Sequence, residues 1–132
     1  MSFLVNRRDL RFILYELLDV ESLCSSTLFA DHDRNVFEAV LDTAHQVAEE
    51  HFAPHAHKLD ENEPSFDGEK VHLIPEVAQA LRIYIDAGFM ACSFPEDLGG
   101  MQLPYTIAQG CAAMFQAANV STAAYPFLTL AA

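Results

Sequence analysis

Residues 87–132 read AGFMACSFPEDLGGMQLPYTIAQGCAAMFQAANVSTAAYPFLTLAA, and this stretch decides the fold. A tight turn, Pro95-Glu96-Asp97-Leu98-Gly99-Gly100, separates two apolar segments. Pro104 opens the second, and Ile107, Ala108, Cys111, Ala112 and Phe115 follow at helical spacing, the repeat of an amphipathic α-helix. Asn119 or Ser121 is expected to end that helix or to cap another from about Thr122. Pro126 falls early in this last segment and calls for a late start or a bend. The closing residues, Leu128-Thr129-Leu130-Ala131-Ala132, carry no Gly, Asn or basic stop signal. The expectation is therefore that the chain is part of something larger.

Upstream, Pro75 suits the first position of a third helix, which carries Val77, Ala78, Ala80, Leu81 and Ile85 and closes at Gly88. Residues 55–73 are polar, contain Pro64 and Gly68, and read as a loop. A second helix places Val36, Val40, Leu41, Ala44, Val47 and Ala48 on one face. Asn35 and Glu38 have capping-box spacing at its start. Pro54 removes a ladder donor, so this helix should end or bend near Phe52. Leu10, Ile13, Leu14, Leu17 and Leu18 outline a first helix with Asp9 as its cap. Residues 22–33 read as a loop, with a short helical turn as the other reading. No alternating strand pattern persists, and the fold class is all-α, a helical bundle of about five helices around one core.

Composition narrows the function classes. Seven basic against 19 acidic residues give a formal charge of −12, which argues against nucleic acid or an anionic membrane as partner. Hydrophobic residues make up 52% of the chain, yet no apolar run reaches the roughly 18 residues of a membrane span. The N-terminus lacks the order of charges and apolar residues of a signal peptide. The three cysteines, Cys24, Cys92 and Cys111, form no CxxC pair. Such usage fits a reducing compartment, and the expected location is cytoplasmic.

Candidate chemistry is sparse. His51, His55 and His57 have roughly the local spacing of a metal site, with Glu49 and Glu50 nearby. Pro54 distorts the face that His51 and His55 would share, and the HExxH order is missing, so no metal is expected and ordinary polar residues at a helix end are. No serine lies in a GxSxG frame, and each cysteine reads as a small buried apolar residue. Gly99-Gly100 lacks the frame of a phosphate loop and signals a turn with positive φ.

The combination AGF…FPEDLGG…LP, a long apolar helix, then AANVSTAAYPFLTLAA resembles the N-terminal helical domain of acyl-CoA dehydrogenases. Gly88, Pro95, Glu96, Gly99 and Gly100 match the family's turn residue for residue. The opening RDLRFILYE, residues 8–16, resembles the extra N-terminal segment of a longer subfamily that includes the 3-methylmercaptopropionyl-CoA dehydrogenase-like enzymes. The resemblance divides the chain into an N-terminal extension, 1–32, and a helical domain, 33–132.

The resemblance implies a parent enzyme with three parts: this helical domain, a middle β domain and a C-terminal four-helix domain. Such a flavoprotein of fatty acid metabolism uses FAD to oxidise an acyl-CoA thioester to the 2,3-enoyl-CoA; a carboxylate takes the α proton and the flavin receives the β hydride. In the family those groups lie beyond this domain, so no catalytic and no cofactor-binding residue is expected in this chain, which alone should be inactive. Val120, Thr122, Ala123 and Tyr125 are the implied lining of the acyl pocket, with ordinary bundle core as the other reading. The implied partners are the acyl-CoA substrate and either the remaining domains of the same enzyme or a homo-oligomer. Two departures stand out: Ala112-Ala113-Met114 lies where members commonly carry an acidic residue, and Pro126 interrupts a usually regular helix. A rival expectation is a free-standing helical interaction module without catalytic activity, docking through its apolar C-terminal segment.

Overall fold

Six α-helices and one minimal hairpin form the framework of the computed structural model, which describes residues 4–132. Helix α1, Arg7–Arg11, starts at Asn6, whose side chain accepts from the Arg8 and Asp9 amides at 3.1 and 3.3 Å. The cap is thus Asn6 and not Asp9. The helix continues over Phe12–Leu17 with π-helical bonding, whose wider turn moves the buried face off a 3.6-residue repeat. Leu14 and Tyr15 face the core, while Ile13, Leu17 and Leu18 of the expected apolar face are exposed. Residues 20–29 form two short 3₁₀ turns, Val20–Ser25 and Thr27–Phe29.

Helix α2, Arg34–Val47, is capped by Asp33, which accepts from the Val36 amide at 2.9 Å. The capping role of Asn35 is therefore corrected by two residues, because Asp33 offers the same chemistry in extended backbone just before the first turn. Phe37, Leu41, Ala44, Val47 and Ala48 are buried; Val36 lies outside this face. The helix widens to π-helix over Ala48–Phe52 and tightens to a 3₁₀ turn at Ala53–His55 around Pro54, the break expected there. A short α3, Ala56–Glu61, follows within the stretch read as loop. The rest of that loop holds a two-residue antiparallel ladder, β1 (Ser65–Phe66) with β2 (Val71–His72).

Helix α4, Pro75–Asp86, begins at its proline and ends before Gly88, where φ is +87°. Helix α5, Tyr105–Ala118, is the central element and packs on both α2 and α6. Asn119 ends it and caps α6, Val120–Ala131, by accepting from the Thr122 amide at 3.1 Å. Pro126 lies inside α6 and the helix runs through it. An aromatic cluster ties the layers together: the Phe115 ring lies 4.9 Å from Phe52, 4.9 Å from Tyr84 and 5.1 Å from Phe89. Each such ring, fully buried, contributes about 1.5–3 kcal/mol. No helix of the described residues is long and apolar enough to cross a membrane.

Candidate functional site

The double glycine and the helices after it build the site. Gly99 has φ +81°, the left-handed conformation expected of it. Gly100 is required for a different reason. A Cβ there would lie 2.1 Å from the Phe94 carbonyl oxygen, so only glycine allows the turn to close on itself. Both amides are used inside the turn: Gly99 donates to the Glu96 carbonyl at 2.9 Å and Gly100 to that of Pro95 at 3.0 Å. The turn therefore presents no amide cradle to a phosphate. Its work is to place Ser93 and Phe94 against the start of α5.

Between that turn and helices α4, α5 and α6 lies a groove of about 270 Å³. Its floor is aromatic, Tyr84 of α4 and Phe115 of α5. The α6 wall is apolar, formed by Ala123, Pro126, Phe127 and Leu130. The α5 wall presents Tyr105, Gln109, Ala112 and Gln116, and Ser93 and Phe94 stand at the mouth. Ala112, from the Ala112-Ala113-Met114 stretch, leaves this wall uncharged.

The lining contains no carboxylate, histidine, thiol or cation. Burial pushes the Tyr84 phenol up to about 12, so it stays protonated near neutral pH. The groove can bind an apolar chain and shield it from water; it has no group that exchanges a proton. Nor does it fit a flavin dinucleotide, whose diphosphate needs cations or a row of free amides. A wider cleft of about 840 Å³ beside α1 includes Arg8, Arg11 and Arg34, of which Arg11 and Arg34 are paired with Glu38 and Glu21.

The four residues implied by resemblance all fall on α6 but point different ways. Ala123 lines the groove. Val120, 67% exposed, borders a smaller pocket of about 220 Å³ with Gln116 and Phe127. Tyr125 borders another of about 400 Å³ beside α3, with Leu59 and Pro64. Thr122 is fully buried, and its hydroxyl lies 2.9 Å from His55 Nε2. Tyr84, Phe94 and Phe127 are groove residues that the sequence did not single out, and for Phe115 it showed only a place on one helix face; the four come from four different segments, and only the fold collects them.

His55 is 4% exposed, not an ordinary surface histidine at a helix end. Pro54 breaks the ladder and turns the ring inward, where burial lowers its pKa against the opposing influence of the His51 backbone and Glu76. Asn119 completes the joint by donating from Nδ2 to the Phe52 carbonyl at 3.1 Å. His51 and His57 lie elsewhere, near Glu50 and Glu61. Among the described residues no cluster of His, Cys, Asp or Glu is placed to hold a metal ion.

Comparison with known families places this geometry. Residues 36–131 match the family described as Acyl-CoA dehydrogenase, N-terminal domain. No curated protein matches the chain.

Proposed function

The chain belongs to the acyl-CoA dehydrogenase N-terminal domain family, and from that membership we propose that it is the helical domain of an FAD-dependent acyl-CoA dehydrogenase that forms 2,3-enoyl-CoA. In this reading the groove between α4, α5 and α6 is the part of the acyl pocket that this domain supplies. Ala123 faces the acyl chain, while Thr122 holds its helix in place. Val120 and Tyr125 stand on flanking surfaces, where other domains or a second copy would complete the pocket. The flavin and the catalytic carboxylate come from other parts of the enzyme, because the groove offers neither a diphosphate site nor a base. The N-terminal extension, 1–32, we assign to the longer, 3-methylmercaptopropionyl-CoA dehydrogenase-like subfamily. A cytoplasmic location agrees with three unpaired thiols.

One observation carries the proposal: an uncharged groove with an aromatic floor and an apolar helical wall, built by the segment that holds the family's turn. Titration of the 132-residue chain with decanoyl-CoA, followed by amide chemical shifts, tests it. The expected result is a response at Phe115, Ala123 and Phe127 that CoA alone does not produce and that Ala112→Trp abolishes by filling the groove. An equal response to CoA, or none to either, refutes a role for this groove in acyl binding. A response to neither, together with tight capture of a defined protein on the exposed residues Leu128 and Leu130, would favour the interaction module.

A further inference from the structure

Gln102 sits in a backbone conformation that ordinary side chains disfavour, with φ +50°. Such a conformation persists where the surroundings over-determine it, and here they do so from two sides. Its amide donates to the Phe94 carbonyl at 2.8 Å, and its Oε1 accepts from the Glu96 amide at 3.4 Å. Those two bonds hold the turn. Its carbonyl accepts from His32 Nε2 at 3.0 Å, and its Nε2 donates to the Leu28 carbonyl at 2.7 Å. Those two hold the N-terminal segment. All four hydrogen-bonding groups of one residue thus join two segments, one of which precedes the family match at residue 36.

The connection is continuous at both ends. The His32 ring packs near Phe29 and near the fully buried Phe37 of α2, with centroids at 6.5 and 6.0 Å. On the groove side, Leu103 donates to the Cys92 carbonyl at 2.9 Å, so Ser93 and Phe94 are bracketed by bonds from residues 102 and 103. Phe94 and Ser93 are the residues at the groove's mouth. We infer that Gln102 is a positioning residue through which the segment of residues 20–33 fixes Phe94 and so sets which apolar chains the groove admits. The inference rests on the acyl-pocket reading given above.

Three variants of the full chain separate the ends of this clip. Gln102→Glu keeps an oxygen for the Glu96 amide but cannot donate to Leu28. His32→Phe keeps a ring between Phe29 and Phe37 but removes the bond to the Gln102 carbonyl. Gln102→Gly accepts the positive φ and loses both side-chain bonds. Each should weaken decanoyl-CoA binding about fivefold to tenfold, the worth of one or two hydrogen bonds, and reduce the preference for decanoyl-CoA over butyryl-CoA. Amide exchange should speed up at Phe94 and Glu96 and stay unchanged at Thr122. A loss of thermal stability with the decanoyl-to-butyryl preference intact overturns the inference, as does unchanged exchange at Phe94 in all three variants. Ala112→Trp fills the groove without touching the clip. If that variant binds decanoyl-CoA normally, the acyl-pocket reading is what fails, and the hold of Gln102 on Phe94 is then decided by exchange.

Discussion

Two regions fasten peripheral elements to the same α2–α5 core, and they do so by opposite physics. The joint between the end of α2 and the start of α6 is buried and neutral: His55 bonds to Thr122, and Asn119 bonds to the Phe52 carbonyl. The N-terminal helix, whose continuation buries Leu14 and Tyr15, is held at its solvent side by charge, through Arg7–Asp42 and Arg11–Glu38. A buried polar group that loses its partner forfeits about 1–3 kcal/mol, because water cannot replace the bond. An exposed ion pair is worth about 0–1 kcal/mol, because water and salt already solvate both charges. The lesson is that the wall of the groove is set by the rigid joint, whereas the ion pairs give orientation at little energetic cost.

The strongest way to break the joint is from beneath. Phe52 is fully buried against Phe115 and also supplies the carbonyl that Asn119 grips. Phe52→Ala should cost about 3–5 kcal/mol through the cavity it leaves, read as a shift in denaturant midpoint. Asn119→Ala removes the α6 cap and the bond to Phe52 together, for about 2–3 kcal/mol. It should also speed amide exchange at Thr122 while leaving the N-terminal helix unchanged. If exchange rises equally in both regions, the two fastenings are not independent.

Acid separates the regions by pH window. Burial is the main cause that lowers the His55 pKa, so the folded state releases this proton more readily than the unfolded one. As pH falls below about 6.5, the unfolded histidine takes up a proton that the folded one resists, and stability drops. Glu38 behaves otherwise. The Arg11 guanidinium holds its carboxyl below the usual carboxylate range, so its contribution is present above that range and is lost only as pH falls through the lowered value. The joint should therefore weaken in mild acid while the Arg11–Glu38 contact still holds. Unfolding free energies measured from pH 7 to 4 check this: a His55→Gln variant should lose the slope just below pH 6.5 and keep the one at lower pH.

The contrast also explains what the sequence could reveal. Pro75, Gly88 and Pro104 act on their own backbone, so three helix boundaries and the all-α class were readable residue by residue, while between Asn119 and Ser121 the structure chose Asn119. The burial of His55 was not, since its partner Thr122 is 67 residues away. The first helix misled because its π-helical turn carries Leu17 and Leu18 outward and Tyr15 inward; a 3.6-residue pattern has no way to announce that. The Gly100 requirement was visible as a glycine but not as a contact, because it depends on where the Phe94 carbonyl comes to rest. Of the four pocket residues suggested by resemblance, only Ala123 lines the groove of α4, α5 and α6. Family likeness named residues along one helix, whereas which of them face the groove depends on packing that the likeness does not encode.

The smallest expected effect is the sharpest test of the comparison. Asp42 keeps 62% of its side chain exposed where it meets Arg7, so Asp42→Asn should change stability by no more than about 0.5 kcal/mol. Two contributions oppose each other: the pair with Arg7 is lost, but one of 19 acidic charges is also removed from a chain of net charge −12, which relieves self-repulsion. Raising ionic strength to about 1 M, where the screening length falls to about 3 Å, should shrink even that difference. Asn119→Ala, acting in a buried joint, should keep its full effect at the same salt. A salt-independent loss at Asp42 comparable with that at Asn119 would erase the distinction, since it would mean that the surface contact is as thoroughly desolvated as the buried one.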